Sequence, residues 1–113
     1  MEFPAWIDGI NVAITVCDLA GTIVSMNDKA VRTFAAEGGL SLLGKNLMDC
    51  HPAAARKKIK RLMATGSSNS YTIEKNGVKK LIHQTPWFEN GKRSGLVEFS
   101  LVIPAALPHF VRS

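Results

Sequence analysis

The sequence predicts an α+β domain: a β-hairpin, a helical middle and a three-stranded antiparallel meander. Three observations carry this. Two Asn-Gly pairs, Asn76-Gly77 and Asn90-Gly91, each lie between strand-like runs, and Asn-Gly is the strongest short-range signal for a two-residue hairpin turn. Between Asn27 and Gly66 the apolar residues recur at helical spacing. Near the N-terminus, Asp18-Leu-Ala-Gly21 separates two short apolar runs, with Asp opening a turn and Gly closing it.

The bulk numbers fit one small domain. The chain has 113 residues, enough for a single core, and no stretch is long or apolar enough to cross a bilayer. Met1-Glu2-Phe3-Pro4 carries no basic region and no signal-type apolar run, so a cytoplasmic location is expected. Cys17 and Cys50 form no CxxC or metal-ligand cluster and are expected as buried free thiols. The formal charge of +5 invites a nucleic-acid reading, but Arg56, Lys57, Lys58, Lys60 and Arg61 fall in one helical segment without an aromatic platform. They read as the solvated face of an amphipathic helix, and neither a nucleic-acid nor a membrane partner is expected.

The elements follow in order. Residues 1–10 form an apolar leader with Phe3, Trp6 and Ile10, either a brief helix or a docking strap. Val12 to Asp18 and Thr22 to Met26 are paired strands. Asn27 caps a helix to about Ala36, with Ala30, Val31, Phe34 and Ala35 on its apolar side, and Glu37-Gly38-Gly39 ends it. Leu40 to Cys50 is short and irregular, with Leu42, Leu43, Leu47 and Met48 expected inward. Pro52 suits the first position of the next helix, where its missing N–H has no intrahelical partner, and Asp49 favours that positive helix start. Ala55, Ile59, Leu62 and Met63 are the buried stripe, and Gly66 stops the helix. Strands Ser70–Lys75, Val78–Phe88 and Gly95–Ile103 complete the chain, and Pro104 ends the last one. Pro86 inside the middle strand marks a bulge or a lapse in pairing. In the last strand Val97, Phe99, Leu101 and Ile103 share one face, Glu98 and Ser100 the other. Residues 105–113 are an extended or docked tail.

At the residue level the chain resembles a PAS domain. The segment from Ile14 to Ala30 holds a strand, a D-x-x-G turn, a second strand and an Asn27-Asp-Lys-Ala30 helix start. Leu43-Gly44-Lys-Asn46-Leu47 is similar to the family's segment before the cavity-flanking helix. Gly95-Leu-Val-Glu98-Phe-Ser is similar to its closing strand. The match spans about residues 10 to 103. Asn46 to Pro52, Tyr71 to Gly77 and Gln84 to Trp87 also resemble a subgroup of small bacterial PAS sensor proteins. The resemblance implies a five-stranded antiparallel sheet of order 2-1-5-4-3, with helices packed on one face and a small cavity between. The domain would run from 11 to 104. It also implies a non-enzymatic sensory module that binds a small ligand or a partner protein and signals through a dimer or docking surface.

The residues weigh the family's ligand classes differently. A small ligand needs an apolar cavity with a few polar anchors; His51, Tyr71, His83, Thr85 and Trp87 are the candidates. His83 shares a face with Leu81, Thr85 and Trp87 by alternation. With the more apolar face of the last strand taken as inner, Glu98 and Ser100 stay outside the cavity. Haem is the alternative, with His51 or His83 as axial ligand, making the protein a redox or gas sensor. Flavin photochemistry is disfavoured because Leu47 follows Asn46 where the reactive Cys would stand. Cys50-His51 adjacency is no nucleophile–base pair, and no phosphate loop, zinc spacing or GxSxG occurs. A small enzyme on this scaffold is a third reading. Phe3, Trp6 and Ile10 are the expected dimer or partner contacts, and a homodimer is expected. No output domain is encoded, which leaves a free-standing protein or a fragment of a longer one; the initial Met and the absence of a visible tag favour the free-standing protein.

Overall fold

The computed structural model describes residues 1–113, with Cys50 described for its backbone alone. Strands β1 (Ala13–Asp18), β2 (Ile23–Met26), β3 (Asn69–Lys75), β4 (Val78–Glu89) and β5 (Lys92–Ile103) form one antiparallel sheet of order β2-β1-β5-β4-β3. Helices α1 (Ala5–Gly9), α2 (Asp28–Thr33) and α3 (Ala53–Thr65) precede or interrupt it, with 3₁₀ turns at 35–37, 39–42 and 47–50.

Each turn follows from its residues. Asp18 Oδ1 accepts from the amides of Ala20 (3.0 Å) and Thr22 (2.9 Å), closing the first hairpin. At the two Asn-Gly turns, Asn76 and Gly77 have φ of 53° and 76°, and Asn90 and Gly91 of 52° and 77°. Both central residues with positive φ make the turn whose twist matches the flanking strands. Lys75 therefore faces Val78, and Glu89 faces Lys92.

Asn27 organises the N-terminal half and is fully buried. Its Oδ1 caps α2 by accepting from the Ala30 amide (3.0 Å) and also accepts from the Ile14 amide (2.9 Å). Its Nδ2 donates to the Ile7 and Val12 carbonyls at 2.9 and 2.8 Å. One side chain thus ties the leader, β1 and α2 together. Ser25 Oγ adds a bond to the Met1 carbonyl (2.6 Å), so the leader lies over the β2 edge of the sheet.

Several expectations need correction. The helix after Asn27 ends at Thr33, because the chain tightens into 3₁₀ turns toward Gly38 (φ 132°). Pro52 stands at the cap of α3 with an extended ψ of 163°, and Ala53 takes the first helical position. Leu43 points outward, 39% exposed, while Leu42 fills the core. The largest correction concerns the sheet faces. The inner face of β5 carries Leu96, Glu98 and Ser100, with Leu96 and Ser100 buried, whereas Val97, Phe99, Leu101 and Ile103 lie on the outer face.

The core falls into two clusters on the inner face. One joins Ala13, Ile23, Met26, Ala30 and Leu42; the other joins Cys17, Ile59, Leu62 and Leu96. Leu47 packs against both. The basic residues of α3, from Arg56 to Arg61, are all exposed on the side away from Ile59 and Leu62. No helix is long and apolar enough to cross a membrane.

Candidate functional site

A cavity of about 250 Å³ opens where the two core clusters meet. Its wall is mainly apolar: Ile23, Met26, Phe34, Leu42, Leu47, Ile59 and Leu96. The volume is just below the roughly 300–1,000 Å³ of drug-sized pockets, so the space suits a smaller molecule.

The polar part of the wall is Thr15, Cys17, Glu37, His51, Gln84 and Glu98. Three of these come from adjacent strands at one level, since Thr15 faces Glu98 and Glu98 faces Gln84. Gln84 is buried and bonded at both ends of its amide. Its Nε2 donates to Glu98 Oε2 (2.9 Å), and its Oε1 accepts from Asn69 Nδ2 (3.1 Å). An amide bonded on both sides is held in one orientation, and it holds the carboxylate in turn. His51 enters from the opposite wall, where its Nδ1 lies 2.7 Å from the Leu47 carbonyl oxygen. A carbonyl only accepts, so Nδ1 carries the proton and Nε2 of the neutral ring is left as an acceptor.

Cys17 is 1% exposed, and burial pushes its thiol up to about 11, against a favourable backbone bond at Leu96 and with smaller upward contributions from Asp18 and Glu98. It is a neutral wall residue at physiological pH rather than a nucleophile. Burial also raises the Tyr71 phenol, with a further push from the Glu98 charge.

The structure disperses the candidates read from the sequence. His51 lines the cavity. Tyr71 shares the inner face through its pairing with Ile82 but lies outside the cavity wall, 44% exposed. His83, Thr85 and Trp87 lie on the outer face, opposite Phe99, Val97 and Gly95, so they are not cavity residues. His83 Nδ1 bonds Ser70 Oγ, and Thr85 Oγ1 bonds Ser68 Oγ (2.8 Å). Trp87 reaches across β5 and donates its indole N–H to the Cys17 carbonyl (2.9 Å).

A single bulge sets which β4 residues meet Glu98. Near the Asn90-Gly91 turn Glu89 faces Lys92 and Phe88 faces Arg93, but beyond a register shift Trp87 faces Gly95. Without that extra residue Thr85 would face Leu96, and His83 would face Glu98. A one-residue slip exchanges the faces of a strand. Pro86 itself pairs in register with Leu96, and the shift falls further on, between Trp87 and Phe88, with Ser94 as the extra residue of β5. Gln84 and Thr15 were missed, and Glu98 was set outside the cavity, because polar residues alternating with aromatics look like a solvent face.

Haem does not fit these residues. His51 has the free Nε2 and the carbonyl-anchored Nδ1 of a good axial ligand. However, the cavity holds about 250 Å³, and among the described residues its wall presents Glu37 and Glu98 and no Lys or Arg to meet the propionates. His83 lies on the other face of the sheet. Among the described residues no group of three or more His, Cys, Asp and Glu is placed to hold a metal ion.

No family model matches the sequence, and no curated protein matches it. Solved structures do. VqmA bound to DPO superposes with a TM-score of 0.71 at 15% identity, over 89% of this chain and 56% of that one. The Aer2 receptor from Vibrio cholerae, described as a dual PAS-heme oxygen sensor, gives 0.64 at 14% identity, over 87% and 99%. The PAS domain of BvgS from Bordetella pertussis gives 0.63 at 22% identity, over 87% and 81%. At these identities the likeness is one of fold. Sheet order, helices on one face and the enclosed cavity make this chain a PAS domain in architecture.

Proposed function

We propose that this chain is a non-enzymatic sensory module that binds a small molecule in the cavity between sheet and helices. Signalling then passes through the surface formed by its leader. The observation that carries the reading is the enclosed apolar space with a pre-oriented polar wall, Glu98 held by Gln84 and Gln84 by Asn69. Such a wall fixes the orientation of a ligand without activating it. Cys17 stays protonated, and His51 has a carbonyl rather than a carboxylate behind it.

A physical route links cavity and leader. Met26 lines the cavity, and its neighbour Asn27 holds the leader through the Ile7 and Val12 carbonyls. A ligand that displaces Met26 or Phe34 shifts α2 and the leader with it. On the other wall Ile59 anchors α3, so the same ligand repacks α3 against the sheet. Among the structures that share this fold are a dual PAS-heme oxygen sensor and VqmA bound to DPO, which supports a ligand-sensing use of this cavity.

The test is an amide NMR titration of the purified chain with benzyl alcohol, a small neutral probe. Shifts are expected at Thr15, Cys17 and Leu96 and also at Ile7 and Val12. Wall shifts with a silent leader would remove the proposed route. No wall shift with benzyl alcohol or with charged analogues of its size would remove the ligand-binding reading.

A further inference from the structure

We infer that the cavity selects a small molecule with an apolar body and a hydrogen-bond-donating, preferentially cationic, nitrogen: an amine, an amidine or a protonated N-heterocycle. The inference rests on the ligand-binding reading above and adds the chemistry of the ligand. It stands on the convergence of acceptors in a wall that holds no cation.

Glu98 is the centre. One carboxylate oxygen, Oε2, receives the Gln84 amide, and that amide cannot turn because its own oxygen is engaged by Asn69. The second oxygen has acceptor capacity left on the cavity side. Thr15, directly opposite Glu98 on β1, lines the same space. Across the cavity His51 spends its Nδ1 proton on the Leu47 carbonyl and so offers Nε2 as an acceptor. Glu37 stands at the exposed rim. Two carboxylates and an imidazole lone pair thus border an apolar space, and among the described residues no Lys or Arg lines it.

A ligand that brings donors satisfies this wall. A carboxylate or phosphate ligand meets like charge and acceptor against acceptor, with only neutral donors, the Thr15 hydroxyl, the Cys17 thiol and the second N–H of the Gln84 amide, to compensate. A neutral apolar ligand fills the space but leaves the carboxylate desolvated without a new partner, which is costly. A charge-assisted N–H bond to a partly buried carboxylate is among the stronger polar contacts available. The apolar remainder, Phe34, Leu42, Ile59 and Leu96, sets the shape of the body that accompanies the nitrogen.

The test compares benzylamine, benzyl alcohol and benzoate, which share one ring and differ in the polar group. Calorimetric titration of the whole chain near neutral pH, with amide NMR to locate binding, is expected to rank benzylamine at least tenfold tighter than benzyl alcohol, with benzoate weakest. In Glu98→Gln the amine is expected to lose that advantage, to within about twofold of the alcohol. The wild-type series decides the matter even if Glu98→Gln folds poorly. Alcohol and amine binding equally at Thr15, Cys17 and Leu96, or an amine preference intact in Glu98→Gln, overturns the selectivity and leaves the cavity a ligand site. The absence of any wall shift with all three probes overturns both.

Discussion

Asn27 shows how much one residue carries. An Asn before an apolar-periodic run announces a helix cap, and it is one. Its other three bonds, to the Ile14 amide and the Ile7 and Val12 carbonyls, join segments distant in sequence. Asn27→Ala removes the cap and strands buried backbone groups, so a loss of about 3 kcal/mol or more is expected in chemical denaturation. Asn27→Asp keeps the acceptor but loses both Nδ2 donors and buries a charge, so it should not rescue. Cys17 makes a pH prediction. Its thiol ionises near 9.0 when solvated and near 11 when folded, so the folded state holds the proton more tightly. The stabilisation is complete below pH 9 and is lost as pH rises toward 11, by up to about 2–3 kcal/mol. Cys17→Ala should flatten that part of the stability profile; an unchanged slope would assign it to other groups.

At the scale of elements, the β4–β5 hairpin sets the site. The register beyond the bulge places His83, Thr85 and Trp87 outward and Gln84 inward, opposite Glu98. Beyond the bulge the strand is locked by Trp87, whose indole crosses β5 to the Cys17 carbonyl over Gly95. Gly95 has φ 156°, and a Cβ there would collide with the Cys17 carbonyl oxygen and stand 2.7 Å from the indole nitrogen. Only glycine leaves that passage open. Gly95→Ala should therefore cost about 2–3 kcal/mol or more in thermal or denaturant unfolding. It should also abolish the Trp87 bond, read as a shift of the indole N–H resonance. A neutral Gly95→Ala would mean that the two strands do not approach so closely.

For the whole molecule, we propose the leader as the point of output. It is pinned by Asn27 and Ser25, yet Trp6 remains 67% exposed. An indole left open on a pinned segment is a suitable anchor for a second chain. We expect Trp6→Glu to halve the mass seen by light scattering at concentrations where the wild type is a dimer, with folding unchanged because Trp6 takes no part in the core. A wild type that is monomeric at all concentrations, or a variant of unchanged mass, would move the output elsewhere. The apolar tail, with Leu107, Phe110 and Val111 exposed, is the next segment to examine by the same measurement.

The sequence by itself determined the strand count, the two Asn-Gly turns, the Asp18 turn, the Asn27 cap and the buried stripe Ile59–Leu62. These depend on local backbone preferences and on periodicity within one element, which neighbouring residues encode. The resemblance carried by those motifs was enough to anticipate the sheet order. The tertiary structure alone decided which face of β4 and β5 looks into the cavity. A strand with apolar residues on one side and Glu98, Ser100 on the other is read by periodicity as apolar-in. Here the polar row of β5 faces the helices, the β4 register beyond the bulge places Gln84 opposite Glu98, and Gln84, Asn69 and Glu98 satisfy one another once they meet. That meeting joins residues on three strands, and pairing between strands is a long-range property that no local pattern contains.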